Sequence, residues 1–363
     1  IGEAETDEQP RDVWSNRSHL PVLEGGLLGE LVLSNDAHLL EDFTPAEDDP
    51  AIDYLRGHRS LMAIPVFDGG QTMNLIVLLH REPRAFDPAL MPQMVWTSNL
   101  FGRATYNLVL RRELEEAYAA LDREMDVIAD IQRALLPDAL PEIPTLDLAA
   151  YYAPAKRAGG DYYDFFPLDD DRWGVLIADV SGHGSPAAVH MAITHALAHT
   201  RPQRDVAPDE LLAYVNEQLA SRYTIDGATF VTAFFAVYDP VAQRLTYSSA
   251  GHPPPRVKRC RTGELFTLDQ AGGIAMGVIG RALYPTASIE LNADDQIIFY
   301  TDGITEAFSA DQQMFGVERL DDTLQNCALS AQGLIDDVLE RLNAFANGRE
   351  ADDDRTLLVA RVR

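Results

Sequence analysis

A chain of 363 residues, 46% of them hydrophobic, exceeds one ordinary domain and can bury a sizeable core, so two domains and a connector are expected. Acidic residues outnumber basic ones 57 to 29, and a formal charge of -28 repels nucleic acid and anionic lipid, which excludes polyanion binding. No apolar run reaches about 18 residues, so no transmembrane helix is expected in this segment.

The chain opens on Ile1 rather than methionine, so a natural N-terminus upstream is expected, and no signal peptide is read. Residues 1 to 50 are polar and acidic at first and then alternate loosely. From Ser60 the pattern sharpens: Leu61 to Val66 reads as a strand, Asp68-Gly69-Gly70 as a hairpin turn, and Leu75 to Leu79 as its partner. Arg84 to Pro88 then leads into a helical pattern.

Between Arg103 and Leu136 there is neither proline nor glycine. Leu114, Leu121, Ile128 and Leu135 occupy one heptad position, and Leu110, Ala117 and Ile131 the other, with Glu124 interrupting it. Such a seam, flanked by Arg111, Arg112, Glu115 and Glu116, predicts a coiled coil and a parallel homodimer. A single amphipathic helix packed on its own domain is the alternative. Leu136-Pro137 and the prolines at 141 and 144 end the helix.

Beyond it, strands are expected at 146–153, 160–167, 172–179, 228–238, 243–249, 286–291, 295–301 and 355–362. Helices are expected near 185–200, 208–222, 316–326 and 331–346. Mostly antiparallel strands with grouped helices predict an α+β fold with two packed sheets covered by helices. Cys260 and Cys327 stand alone, without a disulfide framework or a catalytic setting, which fits a reducing cytoplasm.

Four carboxylates sit at the edges of these apolar runs beside glycine or another small residue. They lie in GGDYYDFF (159–166), ADVSGHG (178–184), FYTDG (299–303) and DDDRT (352–356). Carboxylates without cysteine or histidine at ligand spacing are hard oxygen donors that suit Mg2+ or Mn2+. Two such ions about 3.5 to 4 Å apart clamp a phosphate and acidify a water between them, which is phosphomonoester hydrolysis. Taken singly, each Asp-Gly is also an ordinary turn signal.

As an ordered set, GGDYYDFF, ADVSGHG, FVTAFFAVYDP, LTYSSAGHPPP, YTDGITEAF and DDDRTLLVARV resemble the SpoIIE/RsbU-type serine phosphatases, a bacterial branch of the PPM metal-dependent protein phosphatases. The likeness covers roughly residues 127 to 363. It implies a catalytic αββα sandwich over 141–363, preceded by a linker helix over 103–140. Residues 1–102 more loosely resemble part of a GAF sensor domain, a small α+β dimerisation domain being the other reading.

The resemblance assigns Asp161 and Asp179 to two metal ions, with the Val180 carbonyl as a further ligand and Asp302 bridging from another strand. The acidic residue three before the threonine is Asp353, though Asp354 stays open among three consecutive aspartates. Glu306 is weighed for a weaker third ion and Asp164 for a supporting place. Lys156 and Arg157 are candidates for the phosphate, and His183 for the proton donor to the leaving oxygen. His252 is expected to be buried and bonded to backbone. His195 and His199, four apart on a helix, have zinc-like spacing but no third ligand in sequence, so helix surface is expected.

The implied activity is that of a Mn2+- or Mg2+-dependent serine/threonine phosphatase using a water activated between two ions. Its implied substrate is a phosphorylated anti-sigma-factor antagonist in a partner-switching pathway. The alternatives are a catalytically silent dimeric adaptor and a ligand sensor.

Overall fold

The computed structural model describes residues 22–68, 71–200, 206–224 and 229–363. The chain divides into two compact units, Ile1–Ala119 and Ala120–Arg363. Among the described residues no helix is long and apolar enough to cross a membrane.

In the first unit, strands β1 (His38–Leu40), β2 (Ser60–Asp68) and β3 (Gln71–His80) form an antiparallel sheet in that order. The two expected strands are β2 and β3; the turn expected between them falls at 69–70, outside the described residues. Helices α1 (Gly26–Leu33) and α2 (Ile52–Leu55) place Leu31 and Leu55 against Leu61 and Ala63. The Asp49 carboxylate accepts from the backbone amides of Leu27 and Ala51, each at 2.8 Å, tying the two helix starts together.

Helix α3 runs Met91–Arg133, 43 residues, and so begins earlier than the glycine-free stretch. It passes through Gly102 because a Cβ there would collide with Val66, so close packing against β2 requires that glycine. One turn earlier Asn99 donates to the Pro65 carbonyl at 3.0 Å and accepts from the Phe67 amide at 2.8 Å. Along the seam Leu110, Leu114 and Leu121 are exposed in the single chain. Ile128 and Leu135 are partly buried within the second unit, so two of the heptad positions pack at home.

The second unit holds two sheets. One has the order β10-β9-β13-β14-β4, built from β4 (Leu146–Ala153), β9 (Arg256–Arg259), β10 (Glu264–Thr267), β13 (Gln296–Tyr300) and β14 (Arg355–Val362). The other runs β11-β8-β7-β6-β5, with β5 (Tyr162–Pro167), β6 (Trp173–Val180), β7 (Val231–Asp239), β8 (Arg244–Ala250) and β11 (Gly272–Gly273); β12 (Ala287–Glu290) also pairs with β8. All these pairs are antiparallel except β11 with β8.

Alternation along β14 explains the layering. Leu358, Ala360 and Val362 join the core between the sheets, whereas Leu357 and Val359 face the short α6 (Asp302–Thr305) and the helices α7 (Gly316–Thr323) and α8 (Ala331–Ala346). Helices α4 (Ser185–Thr200) and α5 (Pro208–Arg222) cover the other sheet through Met191, Leu211, Val215 and Leu219. The order is helix, sheet, sheet, helix, as expected for the αββα sandwich, and both faces of the central strands are buried.

Strands β9, β10 and β11 were not expected from the sequence. They are short, follow the prolines at 253–255, and β9 carries Arg256, Lys258 and Arg259, so apolar alternation is weak. Lys258 is buried in spite of its charge, donating to the Gly263 carbonyl and to Gln325 Oε1, each at 2.7 Å. The expectation of solitary cysteines is corrected. Cys260 and Cys327 are disulfide-bonded across 67 residues, because the β9–β10 turn lies beside the α7–α8 connection.

Candidate metal centre

In an antiparallel pair the start of one strand lies beside the end of its neighbour, and this brings the four sequence motifs to one end of the sandwich. Asp161 immediately precedes β5, and Asp179 lies near the end of β6, whose Ala178 pairs with Tyr162. Asp302 follows β13 and Asp353 precedes β14, whose Leu357 pairs with Tyr300. The pairs come from opposite sheets, so loop contacts must align them.

Those contacts are reciprocal. The buried Asp161 Oδ2 accepts from Thr301 Oγ1 at 2.7 Å and from Thr356 Oγ1 at 2.6 Å, crossing to the other sheet. From that sheet Asp354 reaches back: its Oδ1 accepts from the Ala155 amide at 2.8 Å and its Oδ2 from the Gly160 amide at 2.6 Å. Gly159 must be glycine because a Cβ would collide with the Asp354 carboxylate, and at Gly303 a Cβ would collide with the Asp354 carbonyl. Gln132, at the end of α3, closes the loop from behind: it accepts from the Gly159 amide at 2.9 Å and donates to the Gly159 carbonyl at 2.8 Å. Beside it Ala129 packs with Ala158 and with Ala188 of α4.

The adjacent aspartates therefore differ in kind. Asp354 is 2% exposed with both carboxylate oxygens bonded to backbone amides, whereas Asp353 is exposed and electrostatically coupled to Asp302. Burial pushes Asp179 up to about 10, with Asp161, Asp302, Asp353 and Asp354 adding repulsion. Burial also raises Asp161 well above the ordinary value; Asp354 and Asp302 push it further, while the Thr356 and Thr301 hydroxyls pull it back. Asp302 is raised by burial and then by Glu306; Asp353, whose residue surface is exposed, is raised by the partial loss of water around its carboxyl and then by Asp302 and Asp354. All donors are oxygens, the carboxylates repel one another, and the Val180 carbonyl lies against Gly160 nearby. This donor set fits Mg2+ or Mn2+, whose charge would remove the repulsion.

The remaining candidates separate. Lys156 Nζ lies 3.2 Å from His183 Nδ1, and His183 is close enough to Asp353 to lower its pKa, so both sit at the exposed rim. Arg157 is directed elsewhere, with its guanidinium on Asp126 and, at 2.6 Å, on Asp122 of α3, which corrects its reading as a phosphate ligand. His252 is buried and held neutral, pulled down to about 3 by burial, and rests against the Tyr300 main chain with Nδ1 3.0 Å from Thr232 Oγ1. Asp164 lies on the opposite face of β5 from Asp161, as an odd offset requires, and meets His195 and His199 there.

Thr301, Thr356 and Gln132 escaped sequence reasoning. The threonines flank the aspartates in YTDG and DRT, a signal that local reading passes over, and Gln132 carries none.

The family model for stage II sporulation protein E (SpoIIE) matches residues 169–363. "Phosphoserine phosphatase RsbU" of Bacillus subtilis (strain 168) is 28% identical over 238 residues, covering 66% of this chain and 70% of RsbU. "Phosphoserine phosphatase RsbP" of the same organism is 25% identical, but the match spans only 45% of RsbP and 51% of this chain. Among solved structures, the SiaA-PP2C domain of Pseudomonas aeruginosa aligns with a TM-score of 0.59 at 22% identity, over 68% of this chain and 99% of its own. The RsbU and RsbW domains of a Mycobacterium tuberculosis protein align with a TM-score of 0.54 at 26% identity, over 63% of each chain.

Raised carboxyl pKa values mean that the metal-free fold holds protons the unfolded chain releases. Its stability therefore falls as pH climbs from 3.8 toward the raised values, about 10 for Asp179. Asp302→Asn should relieve repulsion and raise the melting temperature of the EDTA-treated protein near neutral pH by about 2–4 °C, for on the order of 1 kcal/mol. It should also remove most of the further rise that Mn2+ produces in the parent. Differential scanning calorimetry with and without Mn2+ reads both, and a destabilised metal-free variant would contradict the repulsion.

Gln132→Ala should leave the Gly159 amide and carbonyl unpaired, at a cost of about 1–3 kcal/mol. Mn2+ binding by calorimetry should weaken severalfold; unaltered binding would show that the loop keeps its shape without Gln132.

Proposed function

The chain belongs to the SpoIIE family, and from that membership we propose that it removes phosphate from a phosphoserine or phosphothreonine of a small regulatory protein, of the anti-sigma-factor antagonist class, in a partner-switching pathway. The observation that carries this reading is the gathering of Asp161, Asp179, Asp302 and Asp353 from four chain segments at one end of the sandwich, where loss of water and neighbouring carboxylates raise the pKa of each. A silent adaptor would have no use for a cluster that destabilises its own fold. The phosphoserine phosphatase names of RsbU and RsbP supply the substrate class.

In this reading Asp161, Asp179, Asp302 and Asp353, with the Val180 carbonyl, hold two Mn2+ or Mg2+ ions, which would polarise the phosphoryl oxygens and acidify a water. The chain's own groups do the rest. Thr301 and Thr356 aim the Asp161 carboxylate, and Asp354 holds the Gly159-Gly160 loop at its distance. At the rim the Lys156 ammonium attracts the phosphate, and His183 beside it donates a proton to the departing serine oxygen. No cysteine nucleophile is involved, since Cys260 and Cys327 lie in the β9–β10 turn and the α7–α8 connection and in none of the aspartate loops. The proposed compartment is the cytoplasm, where that pair would be exposed to reduction.

For the rest of the chain we keep the division into 1–102, a sensor or dimerisation region of GAF-like kind, the linker 103–140 and the catalytic region 141–363. Leu110, Leu114 and Leu121 form the seam of a parallel homodimer. A signal that altered this helix would reach the Gly159 loop through Gln132 and helix α4 through Ala129 and Ala188.

Mn2+-dependent hydrolysis of an aryl phosphate and of a phosphoserine peptide tests the activity. Asp302→Ala should lower kcat by on the order of 100-fold or more, Lys156→Ala should raise KM, and Arg157→Ala should leave the rate of the aryl substrate within about twofold. Metal-independent turnover, or full activity in Asp302→Ala, would overturn the assignment. Replacing Leu114 and Leu121 together by lysine should convert a dimer to a monomer in sedimentation equilibrium; an unchanged mass would remove the seam from the interface.

A further inference from the structure

We propose that Asp164, His195 and His199 form a second metal site of a different chemical class, one that takes Zn2+ or a similar borderline divalent ion and pins helix α4 to strand β5. The ligand-capable atoms of these three side chains all lie within 4.8 Å of one another. His195 and His199 are one turn apart on α4, with ring centroids 4.4 Å apart, so both present to the same point on β5. His199 Nε2 already stands 2.7 Å from Asp164 Oδ2.

The surroundings hold the three ligands in place. Asp164 Oδ2 accepts from the Tyr162 hydroxyl at 2.6 Å and Oδ1 from the Phe165 amide at 2.7 Å, so the buried carboxylate cannot turn away. The edge of one ring meets the face of the other where His195 packs on Tyr162, and His199 packs on Phe166, which limits the rotation of both imidazoles. Fixed partners behind a ligand carboxylate and packed imidazoles raise metal affinity.

Two further effects favour a cation here. Both histidines lie in the last six residues of α4, where the C-terminal end of the helix dipole is negative, and the chain carries a charge of -28. Two nitrogens and one oxygen match Zn2+, not Mg2+, and the partial exposure of His199 leaves a fourth position to water. On binding, the His199 imidazole takes the tautomer with its proton on Nδ1, which frees Nε2 for the metal, and metal–ligand bonds replace the hydrogen bond to Asp164.

The site is separate from the aspartate cluster, since Asp164 and Asp161 point to opposite faces of β5 and share no ligand. Its effect is mechanical: α4 starts at Ser185, directly after the Asp179 turn, and its Ala187 packs close to Gly160. Clamping the far end of α4 therefore restricts the helix that borders the catalytic loop.

The test titrates the full chain with Co2+ while millimolar Mg2+ fills the aspartate cluster. One equivalent should bind with the intense visible absorption of a four-coordinate ion, and Zn2+ should displace it. His195→Ala and His199→Gln, checked for folding by circular dichroism, should each weaken binding at least about tenfold, whereas Asp302→Asn should leave it unchanged. The proposal is overturned if no such band forms, if both histidine variants bind as the parent does, or if Asp302→Asn abolishes the band.

Discussion

Everything at the candidate centre depends on a reciprocal stitch between the two sheets. Asp161, entering β5, is held by Thr301 and Thr356 of the opposite sheet, and Asp354 of that sheet holds the Ala155 and Gly160 amides. Neither half would suffice. The hydrophobic core sets the spacing of the sheets but is indifferent to small sliding, whereas charge-assisted hydrogen bonds between buried groups fix direction as well as distance. Glycine at 159 and 303 follows from the stitch, because the loops approach too closely for any side chain.

The stitch gathers repelling carboxylates about the buried Asp161, with Asp179 and Asp302 only partly open to the screening of water. The buried Asp161 and the partly buried Asp179 would gain protons rather than coexist as anions, and a divalent cation is the chemical alternative to protonation. Under the proposed assignment local instability and function share an origin, since charge that burdens the fold would serve as the ligand set for a cation. His252 works in the opposite sense. Kept neutral by burial, it fills the gap between Thr232 and Tyr300 without adding charge to the floor of the centre.

Helix α3 bears on this arrangement at its last turns. Gln132 satisfies both polar groups of the Gly159 peptide, and Ala129 is small enough for Ala158 and Ala188 to pack beside it. The Arg157 pairs with Asp122 and Asp126 are partly exposed and add little energy, but they direct the guanidinium to the helix instead of the rim. The same heptad pattern serves two purposes along its length, with leucines left outward at 110, 114 and 121 and Ile128 turned toward the catalytic unit.

Much of this was legible in one dimension. Short apolar runs marked both strands of each central pair, apolar helical spacing marked α4, α5, α7 and α8, and the order of the aspartate motifs carried the family and the oxygen-donor chemistry. Those signals are local, written in neighbours a few residues apart. What only the tertiary structure decided concerns partners from 31 to 199 residues away. It decided that Asp354 spends its carboxylate on backbone amides while its neighbour Asp353 does not, and that Arg157 turns to α3. It also brought Cys260 to Cys327 and gave His195 and His199 a third ligand candidate in Asp164. The physical reason is the same in each case: side-chain type determines what a residue can bond, but strand pairing and layer packing determine which groups come within reach.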